Sequence, residues 1–180
     1  MTIPNILTTI RIFLIPVMVV VYYLELPGEV VGTSVNFFIM AVIFAVASLT
    51  DLADGYIARK YNVVTTYGKF MDPLADKILV VSALLILVEV GLVPSWIVII
   101  IVAREFMISG LRMLLSDQGI VHSAGWSGKV KAAVTMVAIV LLFITPLQEL
   151  GLIGIYIAAM LTLWSGMQYL LDVKELFVSK

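Results

Sequence analysis

The sequence predicts an all-α integral membrane protein: a single domain, residues 1–180, with six transmembrane helices. Of its 180 residues, 62% are hydrophobic and 13% are charged, which leaves too little polar surface to cover a soluble domain of this size. Apolar runs of spanning length are separated by residues that stop helices or form turns. The runs cover residues 6–24, 35–58, 73–92, 95–115, 130–147 and 152–171. The chain contains no cysteine, which excludes disulfide bonds, thiol catalysis and zinc–thiolate sites.

The positions of the 11 basic residues predict how the helices are oriented. The connectors after the first, third and fifth runs contain no Lys or Arg, whereas both chain ends and the other two connectors do. Every basic residue except Arg104 lies on that second side or at a helix end beside it. By the positive-inside rule this side is cytoplasmic, so we expect both termini in the cytoplasm. The first run follows Met1 closely without a small-residue cleavage site, so we expect it to remain as a membrane helix.

The first element, residues 3–11, is a partly amphipathic segment that leads into the first helix. We expect its start to lie at the membrane interface, with the Arg11 side chain reaching back to the lipid headgroups. On the residues alone, an interfacial anchor and a role in substrate binding are both open.

Two pairs of aspartates adjoin the polar connector 60–71, at the ends of the second and third helices. Asp51 and Asp54 are spaced i,i+3 and Asp72 and Asp76 are spaced i,i+4, so each pair shares one helix face. Four carboxylates brought together repel one another unless cations lie among them, and such oxygen ligands suit Mg²⁺ or Mn²⁺. At 1.5 Å per residue the first pair lies roughly 24 Å from the outer side of a hydrocarbon core about 30 Å thick. This depth favours chemistry between a lipid headgroup and a water-soluble partner.

Asp72 also has a second interpretation, because Pro73 follows it. An aspartate before a proline often starts a helix, with the aspartate as N-cap and the proline in the first turn. A capping side chain is less available to a metal ion, so this alternative competes for Asp72 and not for Asp76. All four aspartates also have a plain alternative as helix caps and interfacial charges.

The aspartates belong to a longer pattern, Asp51-x-x-Asp54-Gly55-x-x-Ala58-Arg59 followed by Gly68-x-x-x-Asp72-x-x-x-Asp76. This pattern resembles the signature of the CDP-alcohol phosphatidyltransferases. The resemblance implies two divalent cations held by the four aspartates and transfer of a phosphatidyl group from CDP-diacylglycerol, with Asp76 as general base. It also implies contacts with CDP-diacylglycerol from a wider set of residues: Asn5, Thr8, Gly55, Ala58, Arg59, Thr65 and Gly68.

Further basic residues lie in the fourth helix and at the start of the fifth. Arg104 is expected near mid-membrane, where an unpaired arginine is costly, and it shares a helical stripe with Arg112. An ion pair of Arg104 with Glu105 is as good an interpretation as a functional role. Lys129 and Lys131 suit both positive-inside anchoring and the binding of an anionic substrate.

The stretch Ala-Arg-Glu-Phe-x-Ile-Ser-Gly-Leu-Arg from residue 103, with Gly-Lys-Val-Lys from residue 128, resembles one branch of the family. Members of that branch use sn-glycerol 3-phosphate as the acceptor. The resemblance implies that Arg104, Arg112 and Lys129 bind the acceptor phosphate.

The expected partners are CDP-diacylglycerol, glycerol 3-phosphate, membrane lipids and a second copy of the chain, with no nucleic acid. The expected location is a bacterial plasma membrane, with the active site on the cytoplasmic side. Two alternatives stay open: the same family with another acceptor, such as inositol phosphate or serine, and a cation-coupled transporter that uses the acidic cluster.

Overall fold

The computed structural model describes the backbone of residues 3–24, 26–61, 66–117 and 126–178, and the side chains of residues 6–24, 26–50, 71–115, 126 and 128–173. Within these ranges the chain forms six α-helices, a short β-hairpin and one turn of 3-10 helix. The helices are α1 (Ile3–Tyr23), α2 (Val35–Tyr61), α3 (Thr66–Glu89), α4 (Ser95–Asp117), α5 (Trp126–Leu142) and α6 (Gln148–Val178). The hairpin strands are β1 (Glu29–Val30) and β2 (Thr33–Ser34), and the 3-10 helix is Thr145–Leu147. The prediction of a mainly helical protein is confirmed.

The β-hairpin reverses the chain between α1 and α2. Its strands pair antiparallel, in the register Glu29 with Ser34 and Val30 with Thr33. The turn residues Val31 and Gly32 have φ of 53° and 68°, as the mirror-image turns of two-residue hairpins require. The Thr33 hydroxyl accepts a hydrogen bond from the backbone N–H of Thr145 at 2.9 Å. This bond ties the hairpin to the segment between α5 and α6.

The helices pack in two groups around one core. α1 packs against both α2 and α3, while α5 packs along α6, which also contacts α4. The two groups meet where α3 contacts α4 and α5 and where α2 contacts α5. The largest fully buried apolar side chains of this core are Met18, Met40, Phe44, Leu79, Leu84, Leu87, Ile97, Ile101, Ile139 and Phe143. The site described below lies at the meeting of the two groups.

The ends of α2 and α3 at the connector between them, and the start of α5, differ from the prediction. α2 continues to Tyr61 and α3 begins at Thr66, so the predicted connector 60–71 is wrong: most of it is helical. α5 likewise begins at Trp126 rather than at residue 130. Hydropathy marks the apolar part of a helix, whereas polar residues beyond it satisfy their backbone hydrogen bonds equally well by continuing the helix.

By length and composition alone, two segments of the described chain can cross a membrane: Ile6–Tyr23 and Thr145–Val173. Val35–Thr50 is a shorter apolar helix. These segments support a membrane protein, and the six spans and the cytoplasmic termini stay predictions.

Glycines on α6 allow α5 and α6 to approach closely. A Cβ atom on Gly151 would lie 2.7 Å from the backbone nitrogen of Leu142 and 3.0 Å from the carbonyl oxygen of Ala138. A Cβ atom on Gly154 would lie 2.8 Å from the Cβ atom of Ala138. Small residues at a helix contact are a common device of membrane proteins, because they let the backbones approach.

We expect Gly151→Ala to destabilise the protein, because the added methyl group would meet backbone atoms of α5 that cannot move aside. Overpacking of this kind costs about 1–3 kcal/mol. The measurement is thermal unfolding of purified protein in detergent, with a lower midpoint expected for the variant.

The matched control is Gly110→Ala in α4, where no described atom lies within 4 Å of the added Cβ. Alanine is a better helix former than glycine by about 1 kcal/mol, so this variant should be neutral or slightly more stable. Equal midpoints for the two variants would contradict the proposed close packing.

Candidate active site

The second aspartate pair lies inside a helix. α3 begins at Thr66 and contains Pro73, so Asp72 is two turns into the helix and does not cap it. The N-cap interpretation of Asp72 is therefore wrong, because the helix starts earlier than the proline indicated. The Asp72 carboxylate is half-buried and accepts a hydrogen bond from the Thr8 hydroxyl of α1.

Asp76 lies one turn further along α3, half-buried, on the wall of a cavity of about 60 Å³ between α3, α4 and α5. The cavity has an apolar part, lined by Val80, Val81, Leu84, Ile101, Val102, Phe106, Ala132 and Met136. It also has a polar part, lined by Asp76, Lys77, Glu105, Lys131 and Thr135. Two carboxylates and two lysines therefore share one small space at the meeting of three helices.

Lys77 connects α3 to α4. Its Nζ atom donates a hydrogen bond to the Ser109 hydroxyl, which in turn donates to the backbone carbonyl of Glu105 at 2.6 Å. A serine bonded to its own helix in this way presents its oxygen in a fixed direction. The ammonium group of Lys77 is thus held beside the α4 segment that also carries Glu105.

The Glu105 carboxylate joins three helices. Its Oε1 atom accepts a hydrogen bond from Lys131 of α5 and one from Arg104 of α4 at 3.2 Å. Arg104 also donates to the Ser165 hydroxyl of α6 at 2.9 Å. Two cations around one carboxylate oxygen offset the cost of burying these charges in an apolar bundle.

Arg104 packs against α6 and is not among the residues that line the cavity of Asp76. A Cβ atom on Gly166 would lie 3.1 Å from the Cγ atom of Arg104, so the glycine makes room for the arginine stem. Its contacts with Glu105 and Ser165 are those of the structural ion pair that the sequence left open. Its expected role in binding the acceptor phosphate stays an untested prediction.

Lys131 is the cation of α5 that enters the cavity. Its relative exposure is 6%, and the Thr135 hydroxyl donates to its backbone carbonyl at 2.8 Å. Lys129, two residues earlier, and Arg112 of α4 are exposed and lie outside the described cavity lining. From the sequence, Lys129 was expected to bind the acceptor phosphate, and Lys131 was left open between anchoring and the binding of an anionic substrate. The i,i+4 spacing of Lys131 with Thr135 was the available signal for an inward-facing polar stripe.

Arg11 does not reach back to the lipid headgroups, so that prediction is wrong. Its relative exposure is 0%, and its Nε atom donates to the backbone carbonyl of Ala47 in α2 at 3.2 Å. The i,i+3 spacing of Thr8 and Arg11 places both on the face of α1 that packs into the bundle.

Many of the expected site residues have side chains outside the described part of the chain. These are Asn5, Asp51, Asp54, Gly55, Ala58, Arg59 and Gly68, whose backbones lie in α1, α2 or α3, while Thr65 lies outside the described backbone as well.

Among the described side chains, no group of three or more acidic or histidine residues forms a metal site. Of the four aspartates, the structure describes Asp72 and Asp76, which stand one turn apart on α3. Oxygen donors of this kind fit Mg²⁺ or Mn²⁺.

The profile of the CDP-alcohol phosphatidyltransferase family matches residues 1–164, and the chain belongs to this family. Divalent-metal dependence is general in the family. The resemblance drawn from the aspartate pattern is confirmed.

Curated relatives of the chain carry a more specific name, CDP-diacylglycerol–glycerol-3-phosphate 3-phosphatidyltransferase. The protein of Bacillus subtilis (strain 168) is 40% identical over 179 residues, which cover 92% of each chain. The protein of Escherichia coli (strain K12) is 40% identical over 177 residues, covering 93% of this chain and 92% of the relative. The protein of Salmonella choleraesuis (strain SC-B67) is 39% identical over 177 residues, which cover 93% of this chain and 92% of the relative.

We expect Glu105→Gln to destabilise the protein, because the buried Lys131 would lose its carboxylate partner. A buried polar group left without its partner costs about 1–3 kcal/mol. In the double variant Glu105→Gln with Lys131→Met, part of that loss should be recovered, since no buried ammonium remains. The measurement is a double-mutant cycle of unfolding free energies in detergent.

Lys129→Met is the matched control, because it removes an exposed ammonium from the same helix and should change stability by no more than about 0.5 kcal/mol. Additive effects of the two single changes at Glu105 and Lys131 would show that their contact contributes nothing to folding.

Proposed function

We propose that this protein transfers the phosphatidyl group of CDP-diacylglycerol to sn-glycerol 3-phosphate, giving phosphatidylglycerophosphate and CMP. The observation that carries the proposal is the cavity in which Asp76 stands beside Lys77 and Lys131. An acceptor that has both a hydroxyl and a phosphate needs a base and cations in one place. The names of the relatives, which match over nearly the whole chain, specify the same two substrates.

The proposed reaction forms one bond and breaks one. The acceptor hydroxyl oxygen bonds to the lipid-side phosphorus of the diphosphate, and the bond from that phosphorus to the CMP oxygen breaks. The hydroxyl proton passes to Asp76, which lines the cavity and is the aspartate nearest in sequence to Lys77. A base in this role needs one carboxylate oxygen free to take the proton.

Asp51, Asp54, Asp72 and Asp76 would hold two divalent cations, Mg²⁺ or Mn²⁺, in this reaction. When bound, such ions neutralise the charge of the diphosphate and of the CMP leaving group. The sidedness of α3 supports this assignment, since Asp72 and Asp76 share one face and both are half-buried.

CDP-diacylglycerol would contact the ends of α1, α2 and α3. Small side chains at Gly55 and Ala58 would allow the nucleotide and diphosphate to approach the α2 backbone, and Arg59 offers a planar fork for diphosphate oxygens. The remaining proposed contacts are Asn5, Thr8, Thr65 and Gly68.

The acceptor phosphate would bind on the α4–α5 side of the cavity. Lys131 and Lys77 are the cations whose side chains line it, and Arg112 and Lys129 are exposed cations further out on the same two helices. Arg104 is a weaker candidate than the sequence indicated, because Glu105 and Ser165 already hold its guanidinium group.

The proposed setting is a bacterial plasma membrane, which the six helices cross with both termini and the aspartates on the cytoplasmic side. The lipid tails would lie among the helices in the bilayer, and the chain would act as a homodimer. The distribution of Lys and Arg along the chain supports this orientation.

We expect purified protein in detergent, supplied with CDP-diacylglycerol and Mg²⁺ or Mn²⁺, to release CMP when glycerol 3-phosphate is added. Inositol 1-phosphate, serine and water, tested separately, should give no release. Asp76→Asn should lower kcat at least about 100-fold, because a positioned base contributes at least that much to the rate. Glu149→Gln, which changes an exposed acid in the first turn of α6, is the matched control and should retain full activity.

Release with a different acceptor would keep the family chemistry and overturn the proposed acceptor. A folded protein that releases no CMP with any acceptor would overturn phosphatidyl transfer and favour a cation-coupled transporter.

We expect Lys131→Met to raise the KM for glycerol 3-phosphate about tenfold, because a hydrogen bond to a charged group contributes about 1.5–3 kcal/mol. The KM for CDP-diacylglycerol should not change, since its proposed contacts lie on α1, α2 and α3. Initial rates of CMP release with each substrate varied in turn separate the two constants. A rise in the KM for CDP-diacylglycerol alone would contradict the prediction, because it would show that Lys131 binds the lipid substrate and not glycerol 3-phosphate.

A further inference from the structure

α1 lies between the two helices that carry the aspartate pairs. Among the described residues, it packs more extensively against α2 and against α3 than α2 and α3 pack against each other. The way in which α1 holds each helix therefore contributes to the separation of the two pairs. This makes the contacts of α1 with the turns that carry the aspartates important for the site.

The face of α1 that enters the bundle has a polar end. Val21, Met18 and Ile15 are its buried apolar residues, and Arg11 and Thr8 continue the same stripe at helical spacing. Thr8 and Arg11 both have relative exposures of 0%. Burying a polar side chain this deeply lowers the stability of the fold unless the side chain forms hydrogen bonds. The hydrogen-bond partners of Thr8 and Arg11 therefore indicate their roles.

Thr8 is bonded directly to one of the aspartates. Its hydroxyl donates a hydrogen bond to the Oδ1 atom of Asp72. A bond to one carboxylate oxygen restricts the rotamer of the aspartate and therefore the direction in which its other oxygen points. Groups that orient a metal ligand in this way typically change metal affinity by 10–100-fold when they are removed, as an order of magnitude.

Arg11 is bonded to the turn of α2 that leads into the other pair. The carbonyl oxygen of Ala47 accepts from the Arg11 Nε atom at 3.2 Å and from the Thr50 hydroxyl at 2.7 Å. In an α-helix this carbonyl stands one turn before Asp51. A buried guanidinium therefore fixes α1 to α2 within one turn of the first aspartate.

We propose that Thr8 and Arg11 are positioning residues for the metal site: Thr8 orients Asp72, Arg11 holds the α2 turn before Asp51, and α1 thereby sets the spacing of the two aspartate pairs. The inference rests on the proposed function in one respect, that the aspartates hold divalent cations. It assigns to Thr8 a role toward Asp72 rather than a contact with the nucleotide alone.

The test is Mn²⁺ binding to the purified full chain in detergent without lipid substrate, measured by electron paramagnetic resonance of free Mn²⁺. Thr8→Val removes the hydroxyl at nearly constant volume and should weaken Mn²⁺ binding about tenfold. Thr8→Ser keeps the hydroxyl and should bind like wild type. Thr162→Val is the matched control, because Thr162 is also fully buried but its hydroxyl donates to the carbonyl of Ala158 in its own helix, at 2.6 Å.

Two additional variants extend the test. Thr8→Ala removes the same hydroxyl without the branched side chain, and its Mn²⁺ affinity should equal that of Thr8→Val. The inference can therefore still be tested if one of the two variants does not fold. Arg11→Lys keeps the charge but loses the Nε donor at Ala47, and it should weaken Mn²⁺ binding several-fold. In turnover assays, the Thr8 variants should raise the metal concentration needed for half-maximal rate more than the KM for CDP-diacylglycerol.

Folded Thr8→Val or Thr8→Ala protein that binds Mn²⁺ as tightly as wild type and Thr162→Val would overturn the inference while leaving the proposed function intact. Wild-type protein that binds no Mn²⁺ saturably would overturn the metal role and the inference together. A rise in the KM for CDP-diacylglycerol with unchanged Mn²⁺ affinity would assign Thr8 to the nucleotide instead.

Discussion

Glu105 carries the interaction on which the α4–α6 half of the bundle depends. One oxygen of its carboxylate accepts from Lys131 of α5 and from Arg104 of α4, and Arg104 continues to Ser165 of α6. Three apolar helices are thus joined by charges that would each be costly alone in a membrane. Removing the carboxylate would leave two cations close together without a counter-charge. For this reason, deleting one partner of a buried ion pair costs more stability than the intact pair contributes.

The two halves of the bundle each contribute an acid and a lysine to the cavity. Asp76 and Lys77 belong to α3, which α1 contacts, whereas Glu105 and Lys131 belong to α4 and α5, which pack against α6. Gly151 and Gly154 let α6 pack closely against α5, and the Lys77–Ser109 bond connects the two groups. The site lies between two groups of packed helices, so its base and cations are positioned by helices rather than by loops. Helices hold side chains more precisely than loops do.

Much of this could be predicted from the sequence, because the strongest signals are local. Apolar length predicts the helices, and the i,i+3 and i,i+4 spacings place the aspartates of each pair on one face, whatever surrounds them. Pro73 misled the prediction because it is tolerated within α3, so the helix start could not be inferred from it.

The destinations of the buried cations could not be predicted in the same way. Which side of α4 faces α6 decides that Arg104 contacts Ser165, and this rotation depends on the packing of all the helices together. The sequence likewise predicts Arg11 near a membrane interface, but it does not show that Arg11 is buried against α2. Single-helix patterns give the face on which a residue lies, whereas the identity of the neighbour on that face requires the assembled bundle.

The described lining of the cavity has balanced charges, and this bears on how an anionic acceptor is recognised. Two acids, Asp76 and Glu105, face two lysines, Lys77 and Lys131, so the formal charges of these four residues cancel. A phosphate would not be drawn in by an excess of positive charge among them. The phosphate would instead replace a carboxylate as the partner of a lysine that is already buried. Because folding has already desolvated this lysine, binding of the substrate would not have to remove water from it. Under the proposed function, recognition would then depend on whether the phosphate and the hydroxyl of the acceptor reach Lys131 and Asp76 together, which would select acceptors by the spacing between those two groups as well as by charge.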